Sequence, residues 1–434
     1  MPVLVYRITE VLSAIVIELP IGTNLGLFYI LWTLLSGRLL QTRGALIPAL
    51  AATGLEPAAV RRAWSAFAGG AWDVSHLITA LQALVRHEGR WHAQHTGGYR
   101  VVAVDTTGFF RPRLKNCATK HFLSQAGEAL PAIPFGLIAS IGHVGTQTVP
   151  IVRQVVRAPS ATATEAELVS AVLAQAATQL APDEAAVVDR GFTLGKLHAA
   201  GVPRWVSRVP RNFTARRVAL PAYGGKGRRP SRGVLVRPLA RTRREHTLAA
   251  TPPDRTETIL FAGRSIQADI WSGLCLPQAE ASPSSFQCVV VRDPAYREPW
   301  VLATNLALPA VDLLAFYRER WPIEQVPLAA KQLIGAQRQF VFADAARQRL
   351  PELALFASSL LMYLAATHPA QPTGFWDRTP RPTAGRLRRV LAQLDISKTA
   401  PLPLQLRKKE SVTGHLPKGI HAHRRSARPI EARV

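Results

Sequence analysis

Four polar side chains within residues 311–337 have the types and the spacing that chemistry on phosphates requires. They are Tyr317, Arg320, Glu324 and Lys331, at intervals of three, four and seven residues. On one helix these offsets keep all four near a single face, so a carboxylate would project beside a phenol, a guanidinium and an ammonium. That combination is typical of a metal-binding carboxylate whose neighbours hold nucleic-acid phosphates. The alternative is an amphipathic helix whose charged face is only solvated.

The pattern Tyr-x2-Arg-x3-Glu-x6-Lys resembles the signature of the DDE-type bacterial insertion-sequence transposases. The resemblance implies an α/β fold with a ribonuclease-H-like mixed sheet and flanking helices. It also implies a β-rich insertion before the last catalytic glutamate and an N-terminal helical domain. The clearest departure is Pro327, which would remove a helix hydrogen bond between Glu324 and Lys331 at a cost of roughly 3 kcal/mol.

Two apolar segments upstream each lead to an aspartate. The segments VVAVDTTGFF and EAAVVDRGF read as buried strands that end at Asp105 and Asp189. The residues between them predict a hairpin followed by a helix, and this order matches a ribonuclease-H-like sheet. Asp105 and Asp189 then align with the first and second acids of the family, and Glu324 with the third. An acid that follows a strand is otherwise most often a turn or cap residue.

The resemblance implies metal-dependent cutting and joining of DNA. Asp105, Asp189 and Glu324 would be the catalytic, metal-binding residues, and their hard oxygen ligands favour two Mg²⁺ ions, with Mn²⁺ as a substitute. Such a site would cleave at the ends of an insertion sequence and transfer the exposed 3′-hydroxyl to target DNA. The residues that would contact the DNA backbone are Tyr317, Arg320 and Lys331.

A tryptophan and a basic segment upstream are further candidates for DNA contact. Trp300 falls where some members of the family place a tryptophan that stacks on a flipped base, with Tyr296 as a second candidate. The alternative is a strand-edge or core aromatic. Residues 208–244 contain twelve basic residues and no acid, which indicates a DNA-facing stretch or a disordered basic loop. Its loop supplies three DNA-binding candidates, Lys226, Arg228 and Arg229.

The composition favours a polyanionic partner. The 434 residues include 53 Lys and Arg against 28 Asp and Glu, a net charge of +25 that would make binding to DNA strongly salt-dependent. The three cysteines lack zinc-ligand spacing and are predicted to be reduced. The apolar runs are too short to span a bilayer, and no export signal is visible. We therefore expect a bacterial cytoplasmic, nucleoid-associated protein that binds double-stranded DNA, as a homodimer in the synaptic complex, without a membrane.

Length and changes of pattern predict several domains. Residues 43–67 read as a helix-turn-helix, although a plain helical bundle fits nearly as well. Residues 350–367 are predicted to form a helix packed on the sheet. The predicted segments are a helical DNA-binding domain (1–98), the first part of the catalytic core (99–210), a basic β-rich insertion (211–310), the second part of the core with the signature helix (311–367), and a C-terminal linker, short helix and basic tail (368–434).

Two other functions fit the same residues. One is a DNA-binding protein of the same descent whose catalytic site has decayed. The other is a different ribonuclease-H-like nuclease, such as a junction resolvase, which would cut branched DNA without joining it to a new target. Replacement of Asp105 by asparagine separates the first from a transposase, because it would abolish end cleavage and leave DNA binding intact.

Overall fold

The computed structural model describes most of the chain. The described residues are 2–115, 117–123, 125–225, 227–243, 246–278, 285–372 and 374–396, with Leu402 and Leu406. They form a mixed α/β protein whose main sheet contains both parallel and antiparallel strand pairs. The chain divides into two compact units. Arg90–Pro327 is called the sheet unit here, and Met1–Gly89 together with Leu328–Val434 is called the helical unit.

The helices are numbered in chain order. They are α1 (Pro2–Val16), α2 (Thr23–Leu35), α3 (Arg38–Gln41), α4 (Leu46–Ala51), α5 (Pro57–Gly69), α6 (Val74–Glu88), α7 (Glu165–Gln179), α8 (Leu194–Ala199), α9 (Ala310–Arg318), α10 (Gln325–Ala329), α11 (Asp344–Thr367) and α12 (Ala384–Leu391). A 3₁₀ turn at Trp321–Glu324 and a π-helical turn at Ala330–Ile334 flank α10.

The strands are numbered in the same way. They are β1 (His92–Ala93), β2 (His95–Thr96), β3 (Tyr99–Phe110), β4 (Lys120–Leu123), β5 (Glu128–Val144), β6 (Gln147–Arg157), β7 (Glu184–Val188), β8 (Trp205–Arg208), β9 (Ala215–Arg217), β10 (Leu235–Val236), β11 (Arg241–Arg243), β12 (His246–Leu248), β13 (Arg255–Phe261), β14 (Arg264–Cys275), β15 (Phe286–Arg292) and β16 (Trp300–Thr304).

The helical unit is organised around α2 and α11. Helix α2 is apolar on every side and almost entirely buried, as expected of a helix with no polar face. Gly26 lets α5 approach it, because a Cβ at this position would overlap the side chain of Ala66. Helix α11 packs against α2, α5, α6 and α12. It was predicted to pack on the sheet, but its apolar surface is covered by helices of its own unit.

Helix α11 is also the one helix in the described residues that is long and apolar enough to cross a membrane. Most of its apolar stretch is buried inside the protein, and the core helix of a folded unit meets the same criteria. The predicted pair of helices within residues 43–67 is present as α4 and α5, separated by a turn, and α5 begins at Pro57. Proline suits a first helical position because the N–H it lacks has no partner there.

The sheet unit contains one large sheet with the pairing order β5–β3–β7–β8–β16–β15–β14 at its centre, and β6 pairs with β5. Strands β3, β5 and β6 follow one another in antiparallel pairs, as the predicted hairpin requires. Strand β7 is parallel to both β3 and β8. Helix α7 packs on β3, β5 and β6, and Gly136 on β5 makes room for Val172 of that helix. A capping box of Thr164 and Glu167 begins α7.

The strands predicted for the insertion are present as β13 to β16. They continue the sheet, because β16 pairs with β8 through Leu302 and Arg208. The compact unit therefore runs without a break from Arg90 to Pro327, where three segments were predicted. The N-terminal helices share their unit with the C-terminal part of the chain, which also differs from the predicted separate domain. The predicted basic tail lies outside the described residues from Arg407 onward.

Candidate active site

Asp105 lies in the middle of β3, whereas the sequence predicted it at the end of a strand. The reason is that β3 pairs with β7 over a shorter length than with β5. It pairs with β7 only as far as Ala103, opposite Val187, but its antiparallel pairing with β5 continues to Phe110. The pairing with β7 thus ends two residues before Asp105. The backbone N–H of Thr106 donates to Asp105 Oδ1 at 2.8 Å and fixes the orientation of the carboxylate.

Asp189 follows directly after β7, as predicted. Its Oδ1 accepts the backbone N–H of Gly191 at 2.8 Å, and a Cβ on Gly191 would come within 3.0 Å of that oxygen. The register of β3 and β7 pairs residues 84 apart, from Arg100 with Glu184 to residues 103 with 187. Continued by two residues beyond the last pair, the same offset would bring Asp105 level with Asp189, and the charge on Asp189 does act on Asp105.

The signature segment, residues 311–337, is not one continuous helix, which corrects the prediction that its four polar residues share a helical face. Helix α9 ends at Arg318, and the chain then passes through the 3₁₀ turn, α10 and the π-helical turn. Pro322 and Pro327 explain the irregularity, because neither can donate a helical hydrogen bond. Tyr317, Arg320 and Glu324 belong to the sheet unit, whereas Lys331 belongs to the helical unit.

Arg320 connects the signature segment to β3. The guanidinium is only 7% exposed, with Nη2 2.5 Å from Glu324 Oε1 and Nη1 3.9 Å from Asp105 Oδ2. Its Nε is buried and has no hydrogen-bond partner among the described residues. The head group also lies over the ring of Tyr317, 5.9 Å from the centroid. Sequence reasoning assigned Arg320 to DNA phosphates, whereas here it bridges two of the three predicted acids.

The three carboxylates form one electrostatic group. Burial raises the pKa of Asp105 to about 7; the charge on Arg320 opposes this rise, and the charges on Asp189 and Glu324 add to it. Burial also disfavours the charge on Arg320, but the surrounding acids outweigh that effect and raise its pKa above the ordinary value. A buried carboxyl that is still partly protonated at neutral pH is a common feature of functional sites.

The donor chemistry of this group fits a hard divalent cation. Three carboxylates from three chain segments provide the oxygen ligands that Mg²⁺ and Mn²⁺ prefer. In the arrangement seen here, however, no three His, Cys, Asp or Glu side chains in the described part of the chain stand close enough together to hold an ion. Arg320 holds Glu324 instead, and the Glu324 side chain is 51% exposed, so it has room to adopt other rotamers.

An aromatic cluster lies beside Arg320. Trp300 is buried, and its ring contacts Tyr296 at 4.7 Å, Tyr317 at 5.6 Å and Trp321 at 6.3 Å between centroids. Arg208 lies over the same ring at 5.3 Å. Trp300 therefore packs as a core aromatic, which was one of its two predicted roles, and its proposed stacking on a base remains a prediction. Sequence reasoning missed Trp321, although it directly follows Arg320.

The basic loop of the insertion is exposed where it is described. The side chains of Arg228 and Arg229 are both exposed, and Arg229 lies over the ring of Tyr223 at 5.4 Å from the centroid. The hydroxyl of Tyr223 donates to the carbonyl of Gly227 at 2.9 Å. Lys226, the third predicted DNA-binding residue of this loop, lies outside the described residues.

Comparison of the chain with protein-family models finds no matching family, and comparison with curated proteins finds no matching relative. Functional assignment therefore depends on the residues and their geometry.

Proposed function

We propose that the protein is a DNA transposase of the DDE type that cleaves insertion-sequence ends and transfers them to target DNA. The observation that carries the proposal is the approach of Asp105, Asp189 and Glu324 to one another around a buried arginine. These are the three acids that the resemblance selects, and they come from segments separated by more than eighty residues. An amphipathic surface helix would not bring the last of them to the other two.

The order of strands supports a ribonuclease-H-like core as the finer description of the fold. Strands β3, β5 and β6 follow one another in antiparallel pairs, and β7 then joins the free side of β3 in parallel after the crossover helix α7. Strand β8 extends the sheet beyond β7 in parallel. The strands β13 to β16 come next in the chain and precede Glu324, in the position that the resemblance assigns to a β-rich insertion.

Asp105, Asp189 and Glu324 are the residues that would hold the divalent ions. Two such ions would activate a water or a 3′-hydroxyl and neutralise the charge that develops at the phosphorus. The backbone N–H bonds to one oxygen of each aspartate orient the carboxylates before any substrate binds. Arg320 supplies the positive charge next to them, and its planar head group suits a phosphate as well as a carboxylate.

Double-stranded DNA is the partner that fits the charge of the chain. The net charge of +25 and the exposed Arg228 and Arg229 favour the phosphate backbone. Two DNA ends must be joined for cut-and-paste transposition, so the proposal includes a homodimer in the synaptic complex. A nucleoid-associated location in the bacterial cytoplasm follows from the same proposal.

A second candidate is a DNA-binding protein of the same descent that no longer cleaves. One observation favours it: in the described residues, the acids pair with Arg320 and do not stand close enough to hold an ion. This candidate predicts DNA binding that is unchanged by Mg²⁺ and no cleavage under any condition.

The experiment is incubation of the purified chain with its flanking genomic DNA and Mg²⁺, followed by mapping of the cut strands and joined products. Asp105→Asn and Glu324→Gln should each slow cleavage at least about a hundredfold, because each removes a metal ligand. Binding to the same DNA in EDTA should remain within about threefold, because the positively charged surface is unchanged.

Matched control variants are available in the same unit. Asp183→Asn changes an exposed acid at the opposite end of β7, and Glu298→Gln changes an exposed acid that pairs with Arg211. Both should cleave like the unaltered protein. Equal cleavage by Glu324→Gln and the unaltered protein would reject the assigned site. Cutting of branched DNA without joined products would identify a resolvase instead.

A further inference from the structure

Phe375 and Trp376 form an aromatic pair that no other described part of the protein covers. Phe375 is 95% exposed and Trp376 is 68% exposed, and their rings meet edge to face with centroids 5.1 Å apart. Both belong to the helical unit and to none of the groups assigned above. Two neighbouring aromatic rings that are exposed to water lack the stabilisation that burial would give. Such an exposed apolar pair is typical of a site that binds a partner.

The turn that carries the pair, residues 374–378, is held firmly against α12. The carboxylate of Asp377 accepts the guanidinium of Arg386 at 2.9 Å, and the same guanidinium donates to the carbonyl of Arg381 at 3.3 Å. The N–H of Asp377 donates to the carbonyl of Gly374 at 3.1 Å and closes the turn. The rings are thus presented by an ordered support, which reduces the entropy lost when a partner binds.

Helix α12 is itself fixed in the helical unit. Its apolar residues Leu387 and Leu391 are buried, and the helix packs on α11. The hydroxyl of Thr383 accepts the N–H of Arg386 and caps its first turn. Arg386 therefore links the aromatic turn to α12 and fixes the position of the turn relative to the helix.

The surroundings of the aromatic turn are basic. Arg378, Arg381 and Arg389 are exposed, and the one acid among the described residues from 374 to 390 is Asp377, whose carboxylate is mostly buried in its ion pair with Arg386. A segment that offers exposed rings together with exposed arginines matches nucleic acid, because rings stack on bases while guanidinium groups bind phosphates. An acidic polymer also fits the net charge of the chain.

We propose that the aromatic turn is a DNA contact that stacks on bases outside the regular duplex stack. Paired bases inside a duplex expose only their edges, so the exposed faces of Phe375 and Trp376 require a base at a bulge, a nick or a single strand. The proposal concerns binding and does not depend on cleavage by the acids of the sheet unit. It assigns to the C-terminal part of the helical unit recognition of DNA structure rather than of sequence.

The test compares binding of the full-length protein, in EDTA, to a short fully paired duplex and to the same duplex with a central bulge of unpaired bases. Trp376→Ala and Phe375→Ala should each weaken binding to the bulged duplex about 5- to 100-fold, and binding to the paired duplex by less than about threefold. Trp376→Phe should retain most of the affinity, because a ring is still present. Tyr6→Ala is the matched control, since Tyr6 is 70% exposed on α1 beside Arg7 and should have no effect.

The salt dependence separates stacking from charge. Stacking releases no counterions, so Trp376→Ala should leave the slope of log affinity against log salt concentration unchanged, whereas Arg378→Ala should reduce it by about one. Two results would overturn the proposal. One is equal affinity of Trp376→Ala and the unaltered protein for the bulged duplex. The other is loss of self-association by Trp376→Ala in the absence of DNA, measured by sedimentation, which would make a second copy of the chain the occupant.

Discussion

Two acids on neighbouring strands of the same sheet, the buried Glu184 and the half-buried Asp105, have opposite shifts of their pKa. Glu184, at the start of β7, is bound by Arg153 at 2.5–2.8 Å, by the N–H of Ala181 at 3.0 Å and by Arg100 at 3.3 Å. Burial opposes its ionisation, but these bonds outweigh burial and keep the pKa of Glu184 below its ordinary value. Asp105, toward the opposite end of the pair formed by β3 and β7, has a single arginine at 3.9 Å, and its pKa is raised to about 7.

The difference separates one end of the strand pair, where the acid is fully paired, from the other end, where we propose a metal site. Around Glu184 there are at least as many guanidinium groups as acids. Each charge in this group, called the Glu184 network here, therefore has a partner of opposite sign. Around Asp105 the acids Asp189 and Glu324 leave an excess of negative charge that Arg320 alone does not balance. A site with several carboxylates and one balancing cation has affinity for added positive charge, which is the physical basis of the proposed metal binding.

The largest effect on stability is expected for a substitution in the Glu184 network. Glu184→Ala should lower the free energy of unfolding by about 3–5 kcal/mol, because it leaves Arg153 and Arg100 without their buried partner. Urea denaturation followed by tryptophan fluorescence measures this. A cost below about 1 kcal/mol would mean that the network is not the stabilising end of the strand pair.

At Asp105, loss of the carboxylate is expected to stabilise the protein instead of destabilising it. The carboxyl stays protonated up to about pH 7 in the folded chain but ionises near its ordinary pKa of 3.8 when unfolded, so the folded state binds the extra proton between these values. Stability should therefore fall as the pH rises from 4 to 7. Asp105→Asn should remove this dependence, so that in EDTA the variant gains about 2–3 kcal/mol on the unaltered protein between pH 5 and pH 8.

Glu184 provides the control for that pH series. Because its pKa is lowered, it is ionised in both the folded and the unfolded chain between pH 5 and 8 and contributes no slope there. Its stabilising effect is present above its unfolded pKa and is lost only in more acidic solution. A flat stability curve for the unaltered protein between pH 5 and 7 would contradict the environment assigned to Asp105.

A smaller effect tests the bridging arginine. Arg320→Met should raise the pKa of Asp105 further, because Arg320 is the charge that lowers it. The pH at which the stability loss levels off should move up accordingly in the same unfolding series. Arg100→Met at the other end is the comparison, because Arg153 still binds Glu184 there. An unchanged midpoint in Arg320→Met would mean that the guanidinium does not act on Asp105.

The smallest effect is expected at the surface beside the Glu184 network. Asp183 pairs with Arg100 at 2.7 Å, but its side chain is 54% exposed, and exposed ion pairs contribute little. Asp183→Asn should therefore lower the free energy of unfolding far less than Glu184→Ala does in the same urea series. If Asp183→Asn destabilised the protein as much as Glu184→Ala, the exposed Asp183 would be the acid that stabilises the network.

Local patterns predicted the elements that depend on neighbouring residues. The strand that ends before Asp189, the hairpin of β5 and β6, and the strands of the insertion all follow from short apolar periods bounded by turn residues. The position of Asp105 did not follow, because the length of β3 is set by its pairing with β5, a partner more than twenty residues away. The pattern of residues within β3 does not indicate how far its pairing with β5 extends.

The contacts of the predicted site residues did not follow from the sequence. Spacing alone singled out Arg320 and Glu324, yet it assumed one regular helix, and Pro322 and Pro327 break that regularity. Burial of Arg320 between two acids depends on how the signature segment lies against β3, which is a tertiary property. Helix α11 illustrates the same limit: its apolar length predicts burial, but nothing in it specifies whether a sheet or helices cover it.

Strand β8 has hydrogen-bonded neighbours on both sides, β7 and β16. Force applied to β16 by a large bound partner would therefore pass along peptide hydrogen bonds through β8 into β7. Asp189 is the first residue beyond β7. Mechanical strain at the insertion would in this way reach the backbone that orients the Asp189 carboxylate.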